Sequence, residues 1–299
     1  MRQLSPHEEM VHTMDTKENS AENVLGKFSS YILASASPRR IAMMRQHGIE
    51  PLVCPAEIEE ALPPRHDMYE TVMFLALKKA KWVESEYLQQ ACHRQEGGSH
   101  QTRDAKLVVC ADAPEHAVPT AAQISQTPAP VILAADTIVY ADEIMGKPSD
   151  AADGFRMLSK LRSGMHYVAT GVALVEAGRQ NARVFTEVTR VYFKNYTDEE
   201  LRAYLATEEP YDKAGGYAIQ GTFAKYIDHI EGDYDNVVGF PWERIQKELS
   251  LLAAFSPCTD AQESATEPES ATCSKPDVKR APALHDFPPI TLIRRNPPA

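Results

Sequence analysis

Residues 31–40 read YILASASPRR: an apolar run of Tyr31, Ile32, Leu33 and Ala34, then Ser35, Ala36, Ser37, Pro38, Arg39 and Arg40. A short apolar run bounded by polar residues reads as a buried strand. Pro38 suits the first position of a helix, where the missing N–H is not needed. A strand running straight into a helix opens an α/β fold. The helix start leaves backbone N–H groups pointing outward, and such donors attract anions. Two arginines in the first turn oppose the helix dipole, so a negative partner is needed to account for them. Planar guanidinium donors beside two hydroxyls match phosphate oxygens, which makes a polyphosphate the natural ligand. The competing reading is a surface helix whose arginines face water or pair with acidic neighbours.

Outward from this junction the alternation of strand and helix continues. The spacing predicts a helix over 38–47 stopped by Gly48, a strand over 51–54, and a long helix over 67–90 with Val72, Leu75, Ala76 and Val83 on one face. A strand follows over 131–135, then an amphipathic helix over 150–162 with Phe155, Leu158 and Leu161 inward and Gly164 as its stop. Strands over 166–175 and 183–193 are expected to pair antiparallel. Thr197 and Glu200 form a capping box for a helix ending near Thr207, and Pro241 opens a last helix carrying Ile245, Leu249 and Leu252. The sheet is therefore expected to be mixed.

Composition narrows the function. Among 299 residues, 31 basic against 42 acidic side chains give a net charge of -11, which argues against a sequence-independent nucleic-acid binder. Cys54, Cys92, Cys110, Cys258 and Cys273 show neither metal-finger spacing nor an even count for a disulfide scaffold, and a reducing compartment, the cytoplasm, fits best. No apolar run is long enough to span a bilayer. Residues 1–26 and 256–299 have the polar, Pro/Ser/Thr/Glu-rich character of disordered tails, and 94–129 reads as a surface insertion, leaving a core of 27–255.

Several residues look chemical. Asp136 follows five apolar residues, so a carboxylate is expected at the carboxyl end of a buried strand, the edge where ligands gather in open α/β sheets; an Asp capping a turn is the plain alternative. Thr137 adds a hydroxyl. Lys79 lies on the inward stripe of the long helix and either snorkels to the surface or holds an ammonium over an anion. Lys147 projects from a Gly-Lys-Pro turn. Residues 211–221, YDKAGGYAIQG, combine small residues that let backbone approach a ligand with Asp212, Lys213 and Gln220 for polar recognition. Glu59 and Glu60 add acidity near the first loop, where a carboxylate can hold a divalent cation.

Taken in order, LASASPRR (33–40), the acidic 58–60, Lys79 with Ala80, AADT (134–137), GKP (146–148), YDKAGGYAIQG (211–221) and NVVGFP (236–241) resemble the Maf family of nucleoside triphosphate pyrophosphatases. The resemblance implies an elongated α/β fold, a twisted mixed β-sheet flanked by helices with a central nucleotide cleft, related to the inosine triphosphate pyrophosphatases. It implies hydrolysis of a nucleoside triphosphate between the α and β phosphorus atoms with Mg2+ or Mn2+. On that pattern Ser37, Arg39, Arg40, Lys79 and Lys147 bind the triphosphate, Asp136 is the general base, and Glu60 with Asp136 holds the metal. Gln220, with Arg39 and Thr137 and the surrounding Asp212 and Lys213, resembles the branch acting on dTTP and UTP, modified pyrimidine nucleotides included. A glutamine amide can accept from N3–H of uracil or thymine and donate to O4, although turned by half a rotation it also matches cytosine. Two alternatives stand beside this reading: a non-catalytic nucleotide-binding regulator of cell division, suggested by the tails and insertion, and a purine-selective enzyme of the same fold. Family analogy also implies a homodimer. The chain departs from the pattern in its insertion, its tails and Asp233, where a serine is common and an extra negative charge bears on substrate preference.

Overall fold

The computed structural model describes residues 26–60, 67–95, 128–255 and 291–293. Expectations for the remaining residues of the N-terminal tail, the insertion and the C-terminal tail lie outside those described. The elements run β1 (Tyr31–Leu33), α1 (Pro38–Gln46), β2 (Leu52–Val53), α2 (Met68–Gln95), β3 (Val131–Tyr140), β4 (Ile144–Met145), α3 (Ala151–Leu161), β5 (Met165–Glu176), β6 (Ala182–Phe193) and α4 (Asp198–Leu205). Three short 3-10 turns within residues 209–226 lead to β7 (Ile227–Glu231), α5 (Tyr234–Val238), α6 (Trp242–Phe255) and β8 (Thr291–Ile293).

One sheet holds every strand among the described residues, in the order β2-β1-β3-β5-β6-β7, with β4 on β3 and β8 on β6. β1 is parallel to β2 and β3, whereas β3, β5, β6 and β7 pair antiparallel, so the sheet is mixed as expected. The long strands fit the apolar runs that form them: ten residues of β3 lie against β5, and the β5–β6 ladder runs from Met165↔Tyr192 to Val175↔Ala182. The Thr197–Glu200 capping box is present, and Asp150 caps α3 by accepting from the Asp153 amide.

Helices cover both faces. On one, Met43 and Met44 of α1 and Trp242, Ile245, Leu249 and Leu252 of α6 pack against Leu33, Leu133 and Phe185. On the other, Met73, Ala76, Leu77, Ala80 and Val83 of α2 pack against Ile32, Ile132, Ala134 and Val184. A third cluster sets Leu158 and Leu161 of α3 and Leu201 and Leu205 of α4 against Val139, Val168 and Val191. Residues 71–77 of α2 are all buried, so more than the single expected face is covered there.

Two expectations are corrected. β3 continues past residue 135 to Tyr140 because β5 pairs with its whole length, which puts Asp136 in mid-strand and not at a carboxyl end. What does end there is β1: its last pair is Leu33↔Leu133, and β4 joins β3 only at Val139. The same edge of β3 is thus left without a strand partner between those points. The second correction concerns residues 291–293, inside the stretch expected to be a disordered tail, which form β8 alongside Arg183, Val184 and Phe185. Among the described residues no helix is long and apolar enough to cross a membrane.

Candidate active site

The site is built on the uncovered stretch of β3. Alternation along a strand sends successive side chains to opposite faces. Ile132, Ala134 and Ile138 meet α2's face and Leu133 and Ala135 the α1–α6 face, so Asp136 points towards α2 and Thr137 away from it.

On the α2 face, Lys79 Nζ donates to Asp136 Oδ1 at 2.5 Å and to Glu60 Oε1 at 2.8 Å. The Lys79 and Asp136 side chains are only 14% and 12% exposed, whereas that of Glu60 is 52% exposed, so the cluster opens to solvent on the Glu60 side. Lys78 Nζ donates to the Glu59 carbonyl at 2.5 Å and pins the loop that carries Glu60. Burial works against ionising Glu60, but the Lys79 hydrogen bond and charge, with Lys147 and Arg40 adding to them, hold its carboxyl below the usual range. The close approach of α2 depends on Gly171, which stands opposite Asp136 in β5. A Cβ at Gly171 would lie 2.7 Å from the Met73 amide nitrogen and closer still to the Val72 carbonyl.

On the other face Arg40 closes the gap left by β1. Nη1 donates to the Ala135 carbonyl at 2.8 Å and to Ser35 Oγ at 3.2 Å, Nη2 to Thr137 Oγ1 at 3.1 Å, and Nε to the Gly239 carbonyl at 2.9 Å. One guanidinium therefore satisfies a β3 carbonyl that no strand reaches. Burial lowers its pKa to about 10, with Arg39 acting in the same direction and Asp136 and Glu60 opposing. Gly239 ends α5 at φ 102°, a left-handed conformation that presents its carbonyl to Arg40. From Thr137 the network runs on: its Oγ1 lies 3.0 Å from Thr170 Oγ1, which donates to the Asn236 carbonyl at 3.0 Å. The fully buried Asn236 amide donates to the Val168 carbonyl and to Thr189 Oγ1, each at 3.0 Å.

The turn expected to bind an anion behaves differently from Arg40. Ser37 stands at the N-cap of α1 without a side-chain cap bond, and Arg39, in the first turn, makes no ion pair among the described residues. Lys147 is exposed and likewise makes none there. The segment 211–221 is tied to the Lys147 turn by the Gly215 amide, which donates to the Gly146 carbonyl at 2.9 Å. Lys213 Nζ donates to the Asp212 carboxylate and, at 2.6 Å, to the Glu209 carbonyl.

A family model for Maf-like proteins matches residues 30–252, from the start of β1 into α6. The chain belongs to the Maf family. Relatives named dTTP/UTP pyrophosphatase include one from Agathobacter rectalis, 39% identical over 228 residues that cover 75% of this chain and 98% of the relative. One from Citrifermentans bemidjiense is 38% identical over 77% of this chain and 98% of its own length, and one from Caldicellulosiruptor bescii is 35% identical over 74% and 94%.

Of the residues singled out in sequence, this Maf-family chain brings Glu60, Lys79 and Asp136 into direct contact and couples Arg40 and Lys147 to Glu60 through their charge. Arg40 and Lys213 are engaged within the protein, and Gln220 is exposed with no hydrogen bond among the described residues. Asp233, suspected of burdening the phosphate site, caps α5 by accepting from the Asp235 amide at 2.9 Å and lines a separate hollow of about 210 Å3 with Glu187, Glu243, Arg244 and Lys247. Its carboxyl is pushed up by burial. Reading the sequence passed over Gly171, Thr170, Asn236 and Glu209. A glycine inside a strand run signals close backbone approach, which makes Gly171 findable in principle; Asn236 lies in the quoted NVVGFP segment but carried no assigned role.

Proposed function

We propose that this Maf-family chain hydrolyses dTTP and UTP to the monophosphate and pyrophosphate, with Asp136 as the general base. The observation that carries the reading is the Lys79–Asp136–Glu60 cluster, on whose Glu60 the charges of Lys147 and Arg40 also act, Lys147 and the Arg39 next to Arg40 having no ion-pair partners among the described residues. The relatives' names, borne over nearly their full lengths, support the substrate class.

Asp136 accepts a proton from water as the water oxygen bonds to the α-phosphorus. The bond from that phosphorus to the bridging α–β oxygen breaks, and its electron pair leaves with pyrophosphate. Arg39, Lys147, Ser37 and the free amides of α1 offset the charge that grows on the leaving group. Lys79 orients the Asp136 carboxylate, while Arg40 acts from within the fold by holding Ser35, Thr137 and the β3 backbone in place. Glu60 and Asp136 offer the hard oxygen donors that Mg2+ or Mn2+ takes, and such ions are held by one or two carboxylates completed by substrate phosphates and water. When bound, the ion would screen the phosphates. Gln220 reads the N3–H and O4 edge of the pyrimidine. A cytoplasmic location and a homodimeric state complete the reading; five cysteines without disulfide-scaffold or metal-finger spacing support the first, and family analogy the second.

The test scores dTTP, UTP, CTP, ITP and GTP for monophosphate and pyrophosphate release. Asp136→Asn is expected to lower turnover on the pyrimidine nucleotides about 100-fold to 10,000-fold with the fold kept. Nucleotide binding without turnover by the wild type would instead support a regulator, and undiminished release by the variant would remove Asp136 from the chemistry.

A further inference from the structure

Glu209 is held at the mouth of the glycine-rich segment by bonds to both of its ends. Its Oε1 accepts from the Thr222 amide at 2.9 Å and its Oε2 from Thr222 Oγ1 at 2.7 Å. Its own backbone carbonyl accepts from Lys213 Nζ at 2.6 Å. The Tyr204 hydroxyl from α4 reaches Oε1 at 3.5 Å. The residues between Lys213 and Thr222 therefore form a loop closed across its base by one side chain and one carbonyl of the same residue.

Gly221 is what lets the carboxylate close. A Cβ there would collide with Glu209 Oε1 and lie 3.0 Å from Glu209 Cδ. Gln220 is the residue immediately before Gly221, and its exposed amide has no hydrogen bond among the described residues. Nothing at the amide end fixes Gln220, so its placement comes from the backbone on which it stands. On one side that backbone is seated by Ile219 against the α1–α6 cluster, and on the other by the Glu209–Thr222 pair.

We infer that Glu209 is a positioning residue for base selection, fixing the backbone at 221–222 so that the Gln220 amide meets the pyrimidine edge in one place. The inference rests on the pyrimidine reading above and assigns the anchoring to a residue outside the recognised recognition segment. A misplacement of about 1 Å at a recognition group costs roughly 100-fold, so even a partial loosening is readable.

The experiment measures kcat/KM for UTP, dTTP, CTP and ITP in wild type, Glu209→Ala, Glu209→Gln, Thr222→Val, Gln220→Ala and the Glu209→Ala/Gln220→Ala pair. Glu209→Ala is expected to lower the UTP-to-ITP ratio about tenfold or more. Glu209→Gln retains an oxygen for the Thr222 amide and an NH2 for its hydroxyl, and is expected to restore most of the ratio. In the double variant Glu209→Ala adds nothing to the selectivity loss of Gln220→Ala, as expected of a residue that acts through another. If the wild type shows no preference for pyrimidine nucleotides, the proposed function fails first. If it does prefer them and Glu209→Ala keeps the ratio, the inference alone is overturned. Should Glu209→Ala not fold, Thr222→Val decides: a reduced ratio supports the anchoring and an unchanged one ends it.

Discussion

Replacing Gly171 with alanine tests whether the Asp136 carboxylate, the proposed general base, is positioned by how closely α2 lies on the sheet. The new Cβ would sit 2.7 Å from the Met73 nitrogen, and ordinary contact begins at 3.4 Å, so α2 must retreat by at least about 0.7 Å. The obstacle is helix backbone and not the tip of a flexible side chain, so no rotamer change relieves it. Lys79 lies seven residues beyond Val72, about two helical turns along the same element, and moves with it. A loss of roughly 100-fold per ångström scales to a fall in kcat of at least about 25-fold, the closer Val72 carbonyl requiring a displacement beyond that minimum. Overpacking costs a further 1–3 kcal/mol of stability, roughly. Turnover is read by pyrophosphate release and stability by thermal unfolding, with Gly164→Ala as control because a Cβ there meets its nearest neighbour at 3.6 Å. Wild-type turnover and an unshifted melting temperature in Gly171→Ala would refute the claim that this glycine sets the helix–sheet spacing.

Two further tests follow from the same geometry. Arg40→Lys cannot reach the Ala135 and Gly239 carbonyls together, and is expected to lose about 2–4 kcal/mol in urea unfolding together with activity, whereas Arg39→Ala should lose activity with stability unchanged within about 0.5 kcal/mol; equal stability of the two variants would dismiss the structural role of Arg40. Burial pushes His166 from 6.5 down to about 3, so the unfolded chain takes up the proton first, and the stability of the neutral ring, full above pH 6.5, is lost as pH falls towards 3, on the order of 5 kcal/mol in total. Denaturant midpoints measured between pH 7 and pH 4 should fall less steeply in His166→Phe, and identical slopes would count against this ring as an acid-sensitive element.

Local patterns made much of the fold legible. Pro38, the Thr197–Glu200 box and Pro241 marked helix starts that the structure contains, and the apolar runs of β5 and β6 marked strands that pair as expected. The length of β3 was not legible, because after Asp136 and Thr137 the run Ile138, Val139, Tyr140 looks like a separate segment until β5 is known to pair with all of it. β8 escaped because three residues, Thr291, Leu292 and Ile293, in a proline-rich stretch have no weight without Arg183, Val184 and Phe185 to lie against. For the site, Asp136, Lys79 and Glu60 announced themselves as charges in apolar or acidic settings. Arg40 looked like its neighbour Arg39, since two adjacent arginines differ only in which one the helix turns inward. Thr170 and Asn236 are ordinary polar residues until tertiary packing buries them beside each other.

The bond from Arg40 to the Gly239 carbonyl spans 199 residues. During synthesis the turn proposed to bind phosphate emerges early, yet the guanidinium that braces it has to wait for a partner made near the end of the core. Contacts of such long sequence separation are slow to form. A nascent or truncated chain therefore has no completed pocket with which to capture nucleotide, and binding competence arrives late, together with the closing helices.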